Sequence, residues 1–258
     1  MPDILHETRG RIAWTTLNRP DQRNAMTFAM YEGLVEQAEV VTKDPAIRAW
    51  VITGAGGKAF AAGTDISQFK AFKSGQDGLE YEKRIDRVLS AVEDCPKPVI
   101  AAIAGACTGG GLGIAAVCDL RIASANAKFG VPVARTLGNC LSTSNVSRFA
   151  TLIGPAKLKE LIFTARLMEA PEALAAGLIS EILPTHEAVV DRAMALAETV
   201  AGMAPRTLTA TKFALKRLRL AAGTIQGDDL VELCFGSQDF REGMDAFLNK
   251  RAPNWTGN

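Results

Sequence analysis

Apolar positions along this chain recur with two periods, which alternate until about residue 150. Residues 4–17 hold β-prone Ile12, Trp14, Thr15 and Thr16 beside Arg9-Gly10, which predicts two short strands joined at a turn. Asn18-Arg19-Pro20-Asp21 breaks that pattern. Over residues 27–41, Phe28, Tyr31, Leu34, Val35 and Ala38 fall at helical spacing, and Asp44-Pro45 ends the helix. Ala49-Trp50-Val51-Ile52-Thr53 is an apolar run that predicts a buried strand, with a turn over 54–57. A helix is predicted around 79–92. Pro96 and Pro98 then frame a strand over 99–103, and another follows over 119–123. Strand and helix in ββα-like units predict an α/β core. From Pro155 the pattern is mostly helical, over 157–164, 171–176, 187–203, 205–220, 228–235 and 240–250, with one strand over 179–183.

A chain of 258 residues, 48% hydrophobic, can bury a full core. The formal charge of +1 gives no global attraction to nucleic acid or an anionic membrane. No apolar run approaches the ~20 residues of a membrane helix. The first seven residues lack a basic stretch followed by an apolar one, so no secretory signal is expected. Cys95, Cys107, Cys118, Cys140 and Cys234 are scattered and odd in number, which argues against a disulfide framework or a metal site and for a reduced cytoplasm. His6 and His186 lie far in sequence from the glycine motifs described next, which disfavours a His-activated nucleophile.

Two glycine motifs carry the chemistry. Ala59-Phe60-Ala61-Ala62-Gly63-Thr64-Asp65 follows one predicted strand, and Gly109-Gly110-Gly111 follows another and opens an apolar segment. Glycines after a strand permit a sharp bend and close ligand approach, and a following helix adds free N–H groups and its positive dipole end. Either motif alone also reads as a tight turn. Two such N–H groups aimed at one point form an oxyanion hole, which stabilises an oxygen gaining negative charge.

These motifs, together with Leu17-Asn18-Arg19-Pro20, Arg23-Asn24-Ala25, Cys118-Asp119-Leu120-Arg121-Ile122-Ala123, Phe129-Gly130-Val131-Pro132 and the stretch from Glu242 to Arg251, resemble the crotonase, or enoyl-CoA hydratase/isomerase, superfamily over nearly the whole chain. The resemblance implies a crotonase, ClpP-like fold of repeated ββα units. It places the core and the CoA and oxyanion-hole site in residues 1–200, and a helical trimerisation region that also contacts CoA in 201–258. It implies a homotrimer or a dimer of trimers, and a CoA thioester as substrate with no separate cofactor or metal. The implied oxyanion donors are the N–H groups of Thr64 and Gly110. The Ala62 carbonyl would accept from the adenine amino group, Arg23 would meet CoA phosphates, and Phe247 and Lys250 would reach the adenine and ribose phosphate. The CoA handle then supplies binding energy that positions the acyl end.

The same resemblance exposes a departure. Hydratases of the superfamily carry two glutamates that bracket a water, and the matching positions here are Gly113 and Val133. The stretch from Ala134 to Asn145 contains no acid. Water addition by the usual acid–base route thus loses its proton carriers, and efficient hydration is not expected. Asn139, Ser142 and Asn145 are candidates to orient a substrate or a water, with Ser142 equally readable as the cap of a helix starting near Thr143. Cys140 reads as a nucleophile or a free thiol, and Arg135 as a substrate-carboxylate ligand or a surface residue. Asp65 reads best as holding its turn, Asp119 as a core hydrogen-bonding residue, and Thr108 as a pocket or turn residue. Lys212, Lys216 and Arg219 share one face of a basic helix. Because the net charge is near zero, that face reads as a solvated surface or a CoA-phosphate rim rather than an RNA site, and no nucleic acid or membrane partner is expected. A non-catalytic acyl-CoA-binding homologue stays open as the other reading.

Overall fold

In the computed structural model, which describes residues 2–221 and 227–257, the predicted hairpin is Ile4–Arg9 (β1) against Ile12–Leu17 (β2). Helix α1 covers Phe28–Lys43 and is capped by Thr27, whose side chain accepts from Met30 N–H at 3.2 Å. It ends at Asp44, whose extended backbone is what the following Pro45 favours. Ala49–Gly54 (β3) and Ala59–Ala61 (β4) lead to Gly75–Glu93 (α2), which begins earlier than the apolar pattern predicts. A capping box between Ser74 and Asp77 adds that first turn. Val99–Ile103 (β5), Ala106–Thr108 (β6) and Gly110–Val117 (α3) form the next unit, and Leu120–Ser124 (β7), Lys128–Gly130 (β8) and Val133–Thr136 (α4) the third.

Each of these units gives its first strand to one sheet and its second to another. The larger sheet runs β1-β2-β3-β5-β7-β10, where β10 is Glu181–Leu183. Its strands from β2 onward are parallel, with β1 antiparallel at one edge. The smaller sheet is β4-β6-β8-β9, with Met168–Glu169 as β9. Both glycine motifs lie just beyond the ends of smaller-sheet strands, the first after β4 and the second after β6. Parallel order in the smaller sheet sets those ends side by side.

The central strands of the larger sheet, β2, β3 and β5, are buried on both faces. Ala13, Trp50, Ile52, Ala101 and Ile103 face the main core with α1, α2 and α3. Ile12, Trp14, Val51, Ile100 and Ile122 face a second core closed by His186–Ala201 (α8). That helix presents Val189, Ala193, Ala197 and Ala201, spaced by four, and their small side chains let it lie close to the strands.

The remaining helices are Thr143–Ile153 (α5), Pro155–Thr164 (α6), Ala170–Ala175 (α7), Pro205–Leu220 (α9), Asp228–Phe235 (α10) and Gln238–Leu248 (α11). Two expectations change in this half. The strand expected over 179–183 begins at Glu181, and β9 is an additional strand. A two-residue strand is too short for alternation to reveal, and β9 exists because it pairs antiparallel with β8.

The basic face of α9 is turned inward on the core. Lys212 pairs with Asp119 at 2.7 Å, Arg219 with Glu93 at 2.5 Å, and Lys216 with Asp94. The three cations of that face are thus paired within the chain. Its apolar Leu215 and Leu218 point outward instead, 63% and 71% exposed. Val231, Phe235 and Phe240 of α10 and α11 join the main core. No helix among the described residues is long and apolar enough to cross a membrane.

Candidate active site

The two glycine motifs meet at van der Waals distance. Gly63 has φ +101° and Gly109 has φ +51°, conformations that L side chains rarely adopt. A Cβ on Gly109 would lie 3.5 Å from Gly63 Cα. Met26 N–H donates to the Gly63 carbonyl and Asp65 N–H to the Met26 carbonyl, both at 2.8 Å. Successive N–H groups of an extended segment point to opposite sides, so the intervening Thr64 N–H faces away from Met26. Gly110 is the first residue of α3, where an N–H has no partner inside the helix and the dipole is positive. Thr64 and Gly110 both line a cavity of about 540 Å³.

Three hydroxyls fix this geometry from behind. Thr64 Oγ1 is hydrogen-bonded to Tyr31 Oη at 2.9 Å and to Tyr81 Oη at 2.7 Å. These are the only two tyrosines of the chain. Burial raises the pKa of both phenols, so they stay neutral. The fit leaves no room for a side chain at Gly110, because a Cβ there would stand 2.1 Å from Tyr31 Oη. Asp65 holds the turn, as the sequence suggests. Partial burial works to raise its pKa, but hydrogen bonds from Ser67 and Arg19 outweigh this and hold it below the usual carboxylate range.

The cavity is also lined by a carboxylate that is not among the candidates the sequence offers. Gly113 and Val133 line it, and Ala134 to Asn145 carries no acid, but Glu82 enters from α2. Glu82 is buried, and its Oε2 accepts from Ser142 N–H at 2.9 Å. The side chains of Ser142 and Asn145 also hydrogen-bond to it. Burial outweighs these bonds and, with Asp86 one turn on, lifts its pKa to about 7. One turn further along the same face, Leu89 fills the space beside Gly113, where a Cβ would lie 3.2 Å from its Cδ1. The sequence did contain a signal for Glu82. It stands at helical spacing among Leu79, Ile85, Leu89 and Val92, an acid on an otherwise apolar face.

The other candidates separate clearly. Ala62, Arg23, Phe247 and Asn139 line the cavity, as do Thr108, Arg135 and Asn145. Asn139 Oδ1 is buried with no hydrogen-bond partner among the described residues. Ser142 is the N-cap of α5, accepting from Asn145 N–H at 3.4 Å, and reaches the site through Glu82 rather than by lining the cavity. Lys250 lies past the end of α11, exposed, with φ +54°, and does not line the cavity. Cys140 donates its thiol to the Leu230 carbonyl at 3.4 Å, and Cys234 together with burial pushes its pKa up, the opposite of an activated nucleophile. Asp119 accepts from Val99 N–H and from Lys212, a structural role.

The chain has relatives among known proteins. The family model for enoyl-CoA hydratase/isomerase matches residues 7–258. A crotonyl-CoA hydratase of Syntrophomonas wolfei is 34% identical, with 98% of this chain and 97% of the relative covered. Among solved structures, an enoyl-CoA hydratase/carnithine racemase from Magnetospirillum magneticum superposes with a TM-score of 0.81 at 33% identity, covering 100% of this chain and 97% of that one. A methylmalonyl-CoA decarboxylase in complex with 2-nitronate-propionyl-CoA superposes with a TM-score of 0.90 at 27% identity, covering 100% and 99%.

Proposed function

The chain belongs to the enoyl-CoA hydratase/isomerase family, and from that premise we propose that it binds an acyl-CoA thioester with the carbonyl oxygen between the N–H groups of Thr64 and Gly110. The observation that carries this reading is the junction at Gly63 and Gly109, which sets these two residues on one cavity wall. As a proton leaves the carbon next to the thioester, charge moves to that oxygen. Two fixed donors then gain strength at the moment the charge appears, which is where a catalyst needs them. Arg23, Ala62 and Phe247, which line the cavity, would hold the CoA handle, and the exposed Lys250 would meet a phosphate.

Efficient hydration is not part of this reading. The two-glutamate arrangement is absent at Gly113 and Val133, and Leu89 takes up the room beside Gly113. A glutamate introduced at Gly113 alone would meet that leucine. RNA binding finds no support on the basic face of α9, whose Lys212 and Arg219 are taken up in ion pairs with Asp119 and Glu93. The buried carboxylate on the cavity wall, with its pKa raised to about 7, favours an enzyme over a non-catalytic acyl-CoA binder, since titratable groups perturbed in this way cluster at catalytic sites.

Thermal unfolding with acyl-CoA tests the reading. A ligand at 100 times its Kd adds about 2.7 kcal/mol of stability. The expected result is a rise in Tm that depends on concentration. The reading fails if no acyl-CoA shifts Tm at saturation.

The same reading includes a trimer or a dimer of trimers. Leu215, Leu218, Leu230 and Leu233 are all at least half exposed, an apolar cost that a subunit contact removes. Sedimentation equilibrium at micromolar concentration should give three or six chains per particle. A purely monomeric mass would exclude this assembly.

A further inference from the structure

Two acids line the cavity among the described residues, Asp65 and Glu82. Asp65 is committed to Ser67 and Arg19. Glu82 is held differently. Its hydrogen-bond partners are the neutral Ser142 and Asn145, and the nearest buried guanidinium does not pair with it. That guanidinium, Arg148, is bonded to Asp86 and to Glu93, the latter at 3.2 Å. Arg148 also donates to Asn145 Oδ1 at 3.0 Å, which leaves the amide nitrogen of Asn145 as its donor toward Glu82. The carboxylate thus faces the cavity without a counter-ion, on a wall shared with Ile85, Leu89, Leu141 and Phe149. Burying a charge in this way is costly, and capping Ser142 N–H does not require one, since a neutral amide oxygen would serve.

Resting on the thioester reading above, we propose that Glu82 is a catalytic residue, the group that removes and returns the substrate's α-proton while the Thr64 and Gly110 N–H groups hold the enolate oxygen. In the first step a Glu82 oxygen forms an O–H bond as the α C–H bond breaks, and the electron pair moves into the enolate. In the second step that O–H bond breaks. The proton returns to the α-carbon or, in a β,γ-unsaturated acyl chain, adds to the γ-carbon as the double bond shifts. No electrons leave the substrate and no co-reactant is needed. Asn139 Oδ1, buried and without a partner, completes the polar end of the cavity as an acceptor for a water or substrate hydroxyl.

A base of this kind works when its pKa lies near the working pH, and Glu82, pushed up to about 7, meets that condition. The ionisable groups around it are known. Tyr81 and Asp86 share its helix, and Tyr31 faces it from α1. Arg148 stands behind Asn145 on α5, and Cys140 lies on the preceding loop. Arg23, Asp65 and Arg135 share the cavity. Burial keeps the phenols neutral through this range, and the Cys234 hydrogen bond together with burial does the same for the Cys140 thiol. That bond lowers the pKa of Cys234 on α10 to about 7, but Cys234 does not line the cavity, so Glu82 is the cavity group expected to titrate between pH ~6 and ~8.

The test is exchange of the α-protons of a β,γ-unsaturated acyl-CoA in deuterated water, followed by NMR for the wild type, Glu82→Gln and Glu82→Asp. Thermal shift with the same thioester is run on each. The wild-type rate should rise with pH through a midpoint near neutrality. Glu82→Gln should lose about 100- to 10,000-fold while still being stabilised by the thioester. Glu82→Asp should keep a weaker exchange with the same direction of pH dependence. Exchange in Glu82→Gln at the wild-type rate, or a wild-type rate independent of pH, would overturn the role of Glu82. A wild type stabilised by the thioester but inert in exchange would also overturn it, leaving the thioester reading intact. A wild type that neither exchanges nor is stabilised would remove that reading and the proposal with it. If Glu82→Gln does not fold, the wild-type pH profile and Glu82→Asp decide.

Discussion

Gly110→Ala is expected to lower turnover of a thioester by about 100- to 1000-fold, the loss typical of a displaced oxyanion donor. Adding Tyr31→Phe to the same chain is expected to recover most of that loss. The added Cβ would stand 2.1 Å from Tyr31 Oη and 3.2 Å from Thr64 Oγ1, and only 3.4 Å from Tyr31 Cζ. The hydroxyl is therefore the main obstacle, and it cannot coexist with an alanine unless the start of α3 or the Thr64 loop moves. Either movement shifts an N–H that must lie about 3 Å from the developing oxyanion. Phenylalanine removes the obstacle, and Tyr81 still holds Thr64 Oγ1 at 2.7 Å. Tyr31→Phe alone should cost little, so the two substitutions should be strongly non-additive. Turnover of the four chains under identical conditions measures this. A double variant no faster than Gly110→Ala would contradict it.

The second large effect is on stability. Glu82→Gln should make the protein more stable at pH 8, by on the order of 3 kcal/mol, and this gain should vanish near pH 4. The sign follows from the raised pKa. Glu82 shifts from the ordinary 4.5 to about 7 on folding, so between these values the folded protein holds a proton that the unfolded chain has lost. Stability from the neutral acid is fully present below pH ~4.5 and is lost as pH rises through ~7. At about 1.4 kcal/mol per tenfold change in proton affinity, the cost above pH ~7 is roughly 3 kcal/mol. Glutamine carries no charge and can still accept from Ser142 N–H. Urea unfolding of both proteins across this pH range measures the difference. An unchanged difference at every pH would mean that the carboxylate is not strained by its burial. A gain in stability coupled to a loss of turnover is what a group retained for chemistry should show.

Much of this site was legible because glycine has so few substitutes. The bends at Gly63 and Gly109 require positive φ, whereas the three-residue strands they directly follow, β4 and β6, are too short to carry a period and are not predicted from the sequence. The central strands β3 and β5 of the larger sheet, buried on both faces, appear as continuous apolar runs. Glu82 is hidden in the sequence because it stands far along the chain from both glycine motifs, and only the fold brings it across from α2. Its tertiary setting, not its sequence neighbours, raises its proton affinity. The basic face of α9 misled in the opposite sense. Its partners Asp119, Asp94 and Glu93 lie on distant segments, so the helix in isolation looks like a cationic surface. β9 was missed because two residues carry no period, and its pairing with β8 is wholly non-local.

The central claim, proton transfer on a thioester held by Thr64 and Gly110 without efficient water addition, is tested most directly by one NMR time course. Crotonyl-CoA is incubated with the wild-type protein in deuterated water. Removal of a γ-proton from this substrate gives an enolate whose charge rests on the same thioester oxygen. The predicted result is deuterium entering the γ-position faster than β-hydroxyacyl-CoA accumulates. Rapid hydration, above about 1000 per second, with no deuterium at the γ-carbon would contradict the account.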